Sequence, residues 1–552
     1  MKANGDLSNS RLKGAISPEE FMDLEQSDFK EIDPKDGFSV RNFQIQAAKI
    51  ARLSDIVVYS ENEIEAFKMA NMIAKAQTNC YESHKRLGQY IPQYNTFMCV
   101  SAFSEFETKH REIVVVDSKG VLTGEVLDFF QQERVEMATM TRASEIAENV
   151  FLGPTPDQSL YPTVIKDGEP GFDMFIECSD QGRLNAQALK DLVLAMDKDK
   201  QNQSTYIEFP SSGSVMPPQF SMDEVDEIVE SCRWVHYLAT GLRPTSQSDL
   251  DGNSITKALP KRVLIHCTDG YTESTMFAIA YYMFAHSVPV SRAWLDMHVQ
   301  KKRNFFSYPS DVALLNSSAA SLLAASPKHQ HTTVELAKVL QSEAQCEWLK
   351  KMDGSVPSRI TDYMYLGNLG HANNPELLQE LGIGQVLSVG ETANWEADGT
   401  GGPWENRVCV VQGVQDNGMD PLRGEFERCL TFIGMLCPSS LHTMDYANRS
   451  LSDGGRKAGT ATLVHCRVGV SRSATICIAE VMREFGLSYP RAYCFVRARR
   501  LNVIIQPHLR FSYELLKWEE ELQQRRGEPI RREREWGDIC REIAAMNRPY
   551  AP

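Results

Sequence analysis

Short valine-rich apolar runs alternate with longer amphipathic stretches along much of the chain. The runs "IGQVLSV" (383–389), "RVCVVQGV" (407–414) and "TATLVHC" (460–466) have the length and composition of buried strands. By contrast, "GEFERCLTFIGMLC" (424–437) places its apolar residues at helical spacing. The alternation predicts an α/β fold with a central, mostly parallel sheet flanked by helices.

The chain contains two copies of one such unit. A shift of 199 residues places "LIHCTDGYTESTMFAIAYYM" (264–283) on "LVHCRVGVSRSATICIAEVM" (463–482), with a His-Cys pair at the same position in both. Upstream, "SEIAENVFLGPT" (144–155) is similar to "SRITDYMYLGNL" (358–369). Because self-similarity at a fixed offset is typical of repeated structural units, we predict that the same fold occurs twice.

Other segments fall outside the repeat. A Ser/Ala-rich stretch, 316–333, is typical of a linker, and a helical stretch follows at 334–352. The polar, Gly/Ser-rich residues 438–459 indicate a surface loop inserted in the second copy. Interleaved arginine and glutamate over 523–547 favour a solvated helix with i,i+4 charge pairs, and a nuclear localisation signal is the alternative interpretation.

Composition excludes several function classes. The chain is 42% hydrophobic and 24% charged, as in ordinary globular proteins, and its formal net charge of −15 disfavours a nucleic-acid-binding surface. No apolar run approaches the ~20 residues that a membrane span needs, and the N-terminus lacks a signal-peptide pattern. The 13 cysteines are scattered, which predicts reduced thiols and a location in the cytoplasm, in the nucleus or in both.

The loop that follows the last apolar run of the second copy carries candidate chemistry. In "VHCRVGVSRSAT" (464–475), Cys466 lies at a predicted strand-to-helix turn, where a helix N-terminus favours negative charge and hence a nucleophilic thiolate. Arg472 offers a planar fork that can hold two phosphate oxygens. The intervening backbone N–H groups can form a nest for an anion. The predicted phosphate-binding segment is Arg467, Val468, Gly469, Val470, Ser471 and Arg472.

Neighbouring residues complete this prediction. Gly469 lets the loop bend, and Ser473 can donate a hydrogen bond to the sulfur as it leaves. We interpret His465 as a residue that holds the loop and tunes Cys466, not as a proton shuttle. A structural role for Cys466 is the alternative interpretation, since most free cysteines are buried.

Residues 355–520 resemble dual-specificity protein phosphatases, a branch of the cysteine-dependent tyrosine phosphatase superfamily. The resemblance is carried by "HCRVGVSRSAT" (465–475), "YMYLGNLGHANN" (363–374) and "RAYCFVRARR" (491–500). The chain as a whole most resembles the fungal Pps-type members. One departure occurs at Gln506-Pro507-His508, where relatives usually carry Pro-Asn, and we expect it to have little effect.

The resemblance implies the tyrosine/dual-specificity phosphatase fold and a phosphocysteine intermediate on Cys466, with no metal or cofactor. It also implies a general acid, an aspartate on the loop ahead of an amphipathic helix. In "GVQDNGMDPLRGEFERCLTFI" (413–433), Asp416 has the family's spacing to that helix, and Asp420 is the alternative. The loop has no lysines of the kind found in lipid-phosphate relatives, so the expected partners are phosphorylated proteins, with protein kinases as candidates.

Two rival functions stay open. One is a phosphoprotein-binding scaffold without turnover, and the other is a phosphatase for lipid or RNA phosphates. The sequence defines neither the physiological substrate nor the oligomeric state.

The first copy has lost the groups that this chemistry needs. Glu273 occupies the arginine position, and Asp269 adds a second carboxylate to a loop that retains Cys267. Two carboxylates repel a phosphate, and "YIEFPSSGSVMPPQF" (206–220) has no aspartate in place of Asp416. We predict a pseudophosphatase that packs against the second copy or holds a partner. A leftover Cys267 without any role is the alternative.

The N-terminal segment resembles a rhodanese-like domain of the kind that precedes the catalytic domain in MAP-kinase phosphatases, and an unrelated α/β domain is the alternative. Its first predicted strand runs into Ser60-Glu61-Asn62-Glu63, without the cysteine of active rhodaneses. The predicted organisation is a rhodanese-like unit (1–138), an inactive phosphatase-like first copy (139–320), a linker with a helix (321–354), an active second copy (355–525) and a charged helical tail (526–552).

Overall fold

The computed structural model describes most of the chain. The described residues are 1–30, 47–88, 92–124, 126–156, 171–196, 204–217, 222–244, 255–305, 308–328, 333–344, 346–351, 355–397, 407–434, 461–501 and 503–548. The surface loop predicted at 438–459 lies outside them. None of the helices in these ranges is both long enough and apolar enough to cross a bilayer.

The N-terminal segment combines helices with short strands. Its strands are β1 (Arg11–Leu12), β2 (Met22–Asp23), β3 (Asp28–Phe29), β4 (Ile56–Val58), β5 (Thr96–Met98) and β6 (Val114–Val116). Its helices are α1 (Ala47–Ala51), α2 (Glu63–Arg86), α3 (Phe103–Lys109) and α4 (Phe129–Thr141). Among the described residues these strands pair two by two: β4 runs parallel to β5, whereas β1–β6 and β2–β3 are antiparallel. Helix α2 buries Ala66, Ile73 and Ala76, which share one face at helical spacing.

The first copy is built on a five-stranded sheet. Its strands are β7 (Ser144–Ala147), β8 (Val150–Pro154), β9 (Met174–Ser179), β10 (Thr205–Pro210) and β13 (Val263–Cys267), and β11 (Leu242–Pro244) pairs separately with β12 (Ile255–Lys257). Its helices are α5 (Ala186–Met196), α6 (Asp223–Thr240), α7 (Thr275–His286), α8 (Val290–Leu295) and α9 (Pro309–Ala324), and a π-helical turn (Asp296–Gln300) follows α8. The strand order is β10-β9-β13-β8-β7, and all pairs are parallel except β7–β8.

Two helices, α10 (Thr333–Ala344) and α11 (Glu347–Lys350), connect this copy to the second. The second sheet contains β14 (Ser358–Thr361), β15 (Met364–Gly367), β16 (Ile383–Val389), β17 (Val408–Val411) and β18 (Ala461–His465). The helices that follow are α12 (Leu369–Ala372), α13 (Pro375–Glu380), α14 (Asn394–Ala397), α15 (Phe426–Gly434), α16 (Arg472–Phe485), α17 (Tyr489–Arg499), α18 (Leu509–Arg525) and α19 (Trp536–Asn547).

The two sheets have the same topology. The order β17-β16-β18-β15-β14 again places the five strands in the chain order fourth, third, fifth, second, first, with β14–β15 as the antiparallel pair. In both copies the fifth strand is central and fully buried, as its continuous apolar sequence predicts for a parallel sheet covered on both faces. Each fifth strand leads through a loop directly into a buried helix, α7 or α16.

The units pack against each other instead of forming separate bodies. Helix α4, which precedes the first copy, packs on α17 of the second copy, and Glu133 Oε1 lies 2.7 Å from Arg497 Nε in a pair that is almost completely buried. One continuous apolar cluster joins residues of the first copy, such as Leu323, to residues of the second copy, such as Leu377. The described part of the chain is therefore an interlocked assembly.

Two predicted boundaries and one predicted helix differ from the structure. Helix α4 runs through the boundary at 138. Helix α9 extends through the boundary at 320 and buries Leu322 and Leu323, so the start of the predicted Ser/Ala-rich linker belongs to the core of the first copy. The tail is not one solvated helix, because α19 begins only at Trp536 and buries Ile539, Ile543 and Met546. Apolar side chains at helical spacing outweigh the Ser/Ala-rich composition in α9 and the charged composition in α19.

Candidate active site

The candidate site of the second copy lies at the carboxyl end of the central strand β18. The connection from Cys466 to Arg472, here called the phosphate loop, links β18 to the first residue of α16. Its carbonyls are bonded to groups outside the loop: Arg467 O accepts from Leu369 N at 3.2 Å, and Val470 O accepts from Gln506 N at 2.8 Å. Outward carbonyls leave the loop N–H groups available on its inner side, where α16 begins.

Cys466 is 3% exposed and lies at the base of the phosphate loop. Gly469 N donates a hydrogen bond to its sulfur at 3.2 Å, and Ser473 Oγ donates another at 3.1 Å. Two donors aimed at one sulfur next to a helix N-terminus favour negative charge there. The contact with Ser473 is the one that the sequence predicted.

Gly469 is required by the shape of the loop. Its φ of +80° lies in the left-handed region, and a Cβ at this position would be 2.4 Å from Gly367 O. Both conditions favour glycine, because a side chain would be strained and would also collide with backbone. The equivalent Gly270 of the first copy has φ +78° and faces the backbone of Gly153 in the same way.

Arg472 is held at the site by two contacts. Its Nη1 donates to Val414 O at 3.2 Å, and its Nη2 lies 3.3 Å from Glu391 Oε1. Its Nε is buried and has no hydrogen-bond partner among the described residues. The guanidinium is thus pre-oriented, and its Nε–H is still available for an anion. Glu391, which follows the buried strand β16, was not predicted as a site residue.

The structure brings Asp416 to the phosphate loop. Its Oδ1 accepts a 2.7 Å hydrogen bond from Ser471 Oγ and lies 3.7 Å from His508 Nε2. Asp420, the alternative acid, is used inside its own loop, where its Oδ2 accepts from Gln415 N at 3.0 Å and from Asn417 Nδ2 at 3.1 Å. The carboxyl positioned beside the phosphate loop is that of Asp416.

His508 is the second residue that sequence reasoning set aside. It caps α18, where its Nδ1 accepts from Phe511 N at 3.4 Å, and its ring stacks on Phe511. An accepting Nδ1 leaves the proton on Nε2, which faces Asp416. The departure from the family's Pro-Asn was the signal in the sequence, but only the fold places it beside the candidate acid.

His465 supports the loop from below. It is fully buried, its Nε2 lies 2.7 Å from Ser388 Oγ, and its Nδ1 lies 3.4 Å from Cys466 O. Burial lowers the pKa of His465 to about 4. The imidazole is therefore neutral at physiological pH, in keeping with the predicted structural role.

In the first copy, the corresponding loop from Cys267 to Glu273, here called the degenerate loop, is filled by its own side chain. Asp269 Oδ1 accepts from Tyr271 N at 3.0 Å and from Thr272 N at 2.9 Å, and its Oδ2 accepts from Thr272 Oγ1. Cys267 Sγ also lies 3.3 Å from Asp269 Oδ1. A carboxylate thus takes the backbone donors that an anion would need.

The segment that replaces the acid loop closes over the degenerate loop. Ser212 Oγ accepts from Met276 N at 2.8 Å, and Ser212 N donates to Glu273 O at 2.9 Å. Gly213 N donates to Asp311 Oδ1 on α9 at 2.9 Å. These bonds cover the N-terminus of α7 with protein.

Cys267 is 1% exposed. Burial, reinforced by the carboxylates of Asp269 and Glu273, raises the pKa of the Cys267 thiol well above its ordinary value. The ligand atoms of Cys267, Asp269 and Glu273 lie within 4.8 Å of one another, and the sequence did not suggest this grouping as a metal site. The carboxylate oxygens of Asp269 already accept hydrogen bonds within the loop. A thiol in this setting is protonated and shielded, which removes its nucleophilic form.

Comparison with known families shows what this part of the chain is similar to. Residues 364–521 match the family described as "Dual specificity phosphatase, catalytic domain". This span contains Asp416, Cys466 and Arg472. The predicted resemblance to dual-specificity protein phosphatases is confirmed.

Particular relatives extend this match. The dual specificity protein phosphatase PPS1 of Saccharomyces cerevisiae is 27% identical over 521 residues, which cover 79% of this chain and 59% of that protein. The human dual specificity protein phosphatase 1 is 30% identical over 170 residues, or 31% of this chain and 39% of that protein. This chain thus spans less than two thirds of the length of either relative. The similarity to PPS1 reaches well beyond residues 364–521.

Among solved structures, human DUSP28 shares 27% sequence identity over 30% of this chain and 99% of its own, with a TM-score of 0.22. The similarity to dual-specificity phosphatases rests on the match over residues 364–521 and not on this likeness.

Proposed function

We propose that residues 355–525 hydrolyse phosphate monoesters on phosphoproteins, accepting phosphotyrosine as well as phosphoserine and phosphothreonine. The observation that carries this proposal is the convergence of three groups at the end of β18: the buried Cys466 sulfur with its two donors, the pre-oriented Arg472 and the carboxyl of Asp416. Nucleophile, anion clamp and acid are the parts that a two-step phosphoryl transfer needs.

In the first step the Cys466 thiolate attacks phosphorus. The bond from phosphorus to the ester oxygen breaks, and the protonated Asp416 gives its proton to that oxygen. The product is a phosphocysteine, while Arg472 and the loop N–H groups bind the equatorial oxygens.

In the second step water attacks phosphorus and gives a proton to the Asp416 carboxylate. The sulfur–phosphorus bond breaks, inorganic phosphate leaves, and Ser473 donates its hydrogen bond to the departing sulfur. The acid of the first step is the base of the second, which returns the site to its starting protonation.

The first copy is, on this proposal, an inactive duplicate. Its sheet has the strand order of the second copy, which supports a common phosphatase-like fold. Asp269 fills the donor nest, the 211–214 segment covers α7, and Glu273 stands where Arg472 stands in the second copy. An anion cannot enter such a loop without displacing a carboxylate that is already fully bonded.

The N-terminal segment is proposed to be a rhodanese-like unit without sulfur transfer. Strand β4 ends at Val58, and α2 begins at Glu63, with Asn62 capping the helix through its side chain. A capping Asn and acidic residues occupy the turn where a reactive cysteine would lie. Since the 12 cysteines of the described residues are free thiols, a reducing compartment, cytoplasm or nucleus, is proposed for the protein.

The test is phosphate release from matched phosphothreonine and phosphotyrosine peptides in the presence of a chelator. Wild type, Cys466→Ser and Cys267→Ser are compared in parallel. We expect activity on both peptides to vanish only in Cys466→Ser. Turnover that survives Cys466→Ser would overturn the assignment of the nucleophile. If the wild type releases no phosphate from either peptide but acts on a phosphoinositide or an RNA 5′ phosphate, the substrate class is lipid or RNA. If it acts on none of these substrates, a phosphoprotein-binding scaffold is favoured.

A further inference from the structure

We propose that Asn304 of the first copy is a positioning residue for the phosphate loop of the second copy, so that the inactive copy is a built-in support for the active site. This inference rests on the proposed function for its kinetic consequences, but its structural part concerns only the shape of an anion-binding loop.

Asn304 bridges the two copies with three hydrogen bonds. Its Oδ1 accepts from Arg359 N at 3.0 Å, and its Nδ2 donates to Arg359 O at 3.0 Å and to Arg499 O at 3.4 Å. The side chain is buried. Because β14 is an edge strand, its outer N–H and C=O need partners, and the Asn304 amide supplies them as a neighbouring strand would.

The two elements that Asn304 holds are those that hold Arg500. Arg500 follows Arg499 directly at the end of α17, and its Nη1 donates to Ser358 Oγ of β14 at 3.2 Å. Its Nε donates to Gly469 O in the phosphate loop at 3.4 Å. Arg500 thus holds the carbonyl of Gly469 from outside the loop, while the N–H of the same residue points inward at the Cys466 sulfur.

The first copy contains a corresponding arginine, Arg303, which directly precedes Asn304 in the chain. Arg303 Nη2 donates to Gly270 O at 2.8 Å, and its Nη1 donates to Ser144 Oγ at 2.9 Å. Gly270 and Ser144 match Gly469 and Ser358 in the repeat. Arg303 therefore plays in the degenerate loop the part that Arg500 plays in the phosphate loop, and it fixes the backbone from which Asn304 reaches across.

The degenerate loop also makes direct contact with the second copy. Tyr271 packs with Leu501, the residue after Arg500, and both side chains are buried. The backbone N–H of Tyr271 is bonded to Asp269. The carboxylate that blocks the first copy therefore also stiffens the surface on which the second copy rests, which gives the retained loop a purpose without catalysis.

The experiment uses the full chain with Asn304→Ala, and Lys302→Ala as the matched control. Lys302 lies at the same interface, where its Nζ is 3.6 Å from Asp362 Oδ2, but its side chain does not touch β14 or Arg499 in the contacts described. We measure kcat and KM on para-nitrophenyl phosphate, and the affinity for orthovanadate, an oxyanion that probes the loop without turnover.

Asn304→Ala is expected to weaken vanadate binding and lower kcat/KM by about tenfold each, the effect of loosening a positioned site, while Lys302→Ala stays within twofold of wild type. A second variant, Asn304→Asp, keeps the acceptor for Arg359 N but loses both donors, and it should show the same defect.

Folded Asn304 variants with wild-type vanadate affinity and kinetics would overturn the inference, as would unfolding of both variants, which would assign Asn304 to folding alone. If the wild type binds vanadate but turns over no phosphoester, the proposed function fails while the vanadate comparison still decides the role of Asn304.

Discussion

Ser471 Oγ donates a 2.7 Å hydrogen bond to Asp416 Oδ1, so the phosphate loop itself holds the candidate acid in place. The candidate nucleophile and the candidate acid are therefore not positioned independently: one seven-residue loop, 466–472, carries Cys466 and binds Asp416 through Ser471. Asp416 is bonded to the phosphate loop, whereas Asp420 is bonded only within its own loop, so substituting each aspartate separately tests which of them is the acid.

Asp416→Asn is expected to lower kcat on a phosphothreonine peptide by about 10²–10³-fold and on para-nitrophenyl phosphate by much less. The physical reason is the leaving group, because an alkoxide needs a proton from the enzyme whereas para-nitrophenolate does not. Steady-state kinetics on both substrates measure this difference. Asp420→Asn serves as the control, since Asp420 is bonded within its own loop, and it should affect both substrates equally and slightly. A larger loss in the Asp420 variant would assign the acid to that residue.

His508→Ala is expected to move the alkaline limb of the pH–rate profile to higher pH. His508 Nε2 lies 3.7 Å from Asp416 Oδ1, beyond direct hydrogen-bond distance, and burial lowers the pKa of His508, so the ring remains uncharged over the working range. Loss of the Nε2–H dipole beside the carboxylate disfavours its ionised form, which is the reason for the expected shift of the limb. His508→Asn, the residue that relatives carry, restores an amide donor and should shift the limb less. An unchanged limb in both variants would show that His508 serves only as a helix cap.

Asp311→Asn is expected to raise the free energy of unfolding, relative to wild type, more at neutral pH than at acidic pH. Burial raises the pKa of Asp311 from its ordinary value of 3.8 to about 7. Between these values the unfolded chain has released the proton and the folded chain has not, so the wild type loses stability as pH rises from about 4 to about 7. Asparagine keeps an oxygen for Gly213 N without the charge.

Urea unfolding of wild type and Asp311→Asn at pH 5 and pH 8 tests this prediction. The stability difference should grow by about 2 kcal/mol in favour of the variant. Asp226→Asn, at an exposed position on α6, is the control and should leave the pH dependence unchanged. A difference that is the same at both pH values would contradict the buried-acid account.

Glu133→Ala is expected to lower the free energy of unfolding by about 3–5 kcal/mol, because it leaves the buried guanidinium of Arg497 without its carboxylate partner. Glu133→Gln, which preserves one hydrogen-bond acceptor, should cost less. The exposed pair Glu105–Lys109 on α3 supplies the control, since Glu105→Ala should cost no more than about 0.5 kcal/mol. Thermal or urea unfolding measures all three, and equal effects of Glu133→Ala and Glu105→Ala would show that α4 does not depend on this pair.

Much of the fold follows from local sequence. The valine-rich runs predicted the strands β16, β17 and β18, and the offset of the repeat located β13 and the loops after β13 and β18. Asp416 was preferred because the family resemblance implies an acid at this distance from the helix that became α15. In each case the signal lies within one strand, one loop or one helix, where periodicity and spacing are informative.

The residues that were not predicted act across long sequence separations. Glu391 reaches Arg472 from the loop after β16, and His508 reaches Asp416 from a helix cap. Asn304 reaches Arg499 from another copy of the repeat, and α4 finds α17 more than 300 residues downstream. Such contacts depend on how finished elements pack, and no local pattern encodes their partners. The burial of one face of α9 was not predicted because Ser and Ala are common in linkers and are also common where helices pack closely.

The packing of α4 on α17 also sets an order of events on the ribosome. Helix α4 is synthesised with residues 129–141, but its partner is complete only once Arg499 has emerged. Throughout that interval Phe129 and the carboxylate of Glu133 lack the surface that buries them in the finished protein. The nascent chain therefore exposes the apolar face of α4 while the whole first copy and most of the second are synthesised. We expect chaperones to bind this helix until α17 has been synthesised.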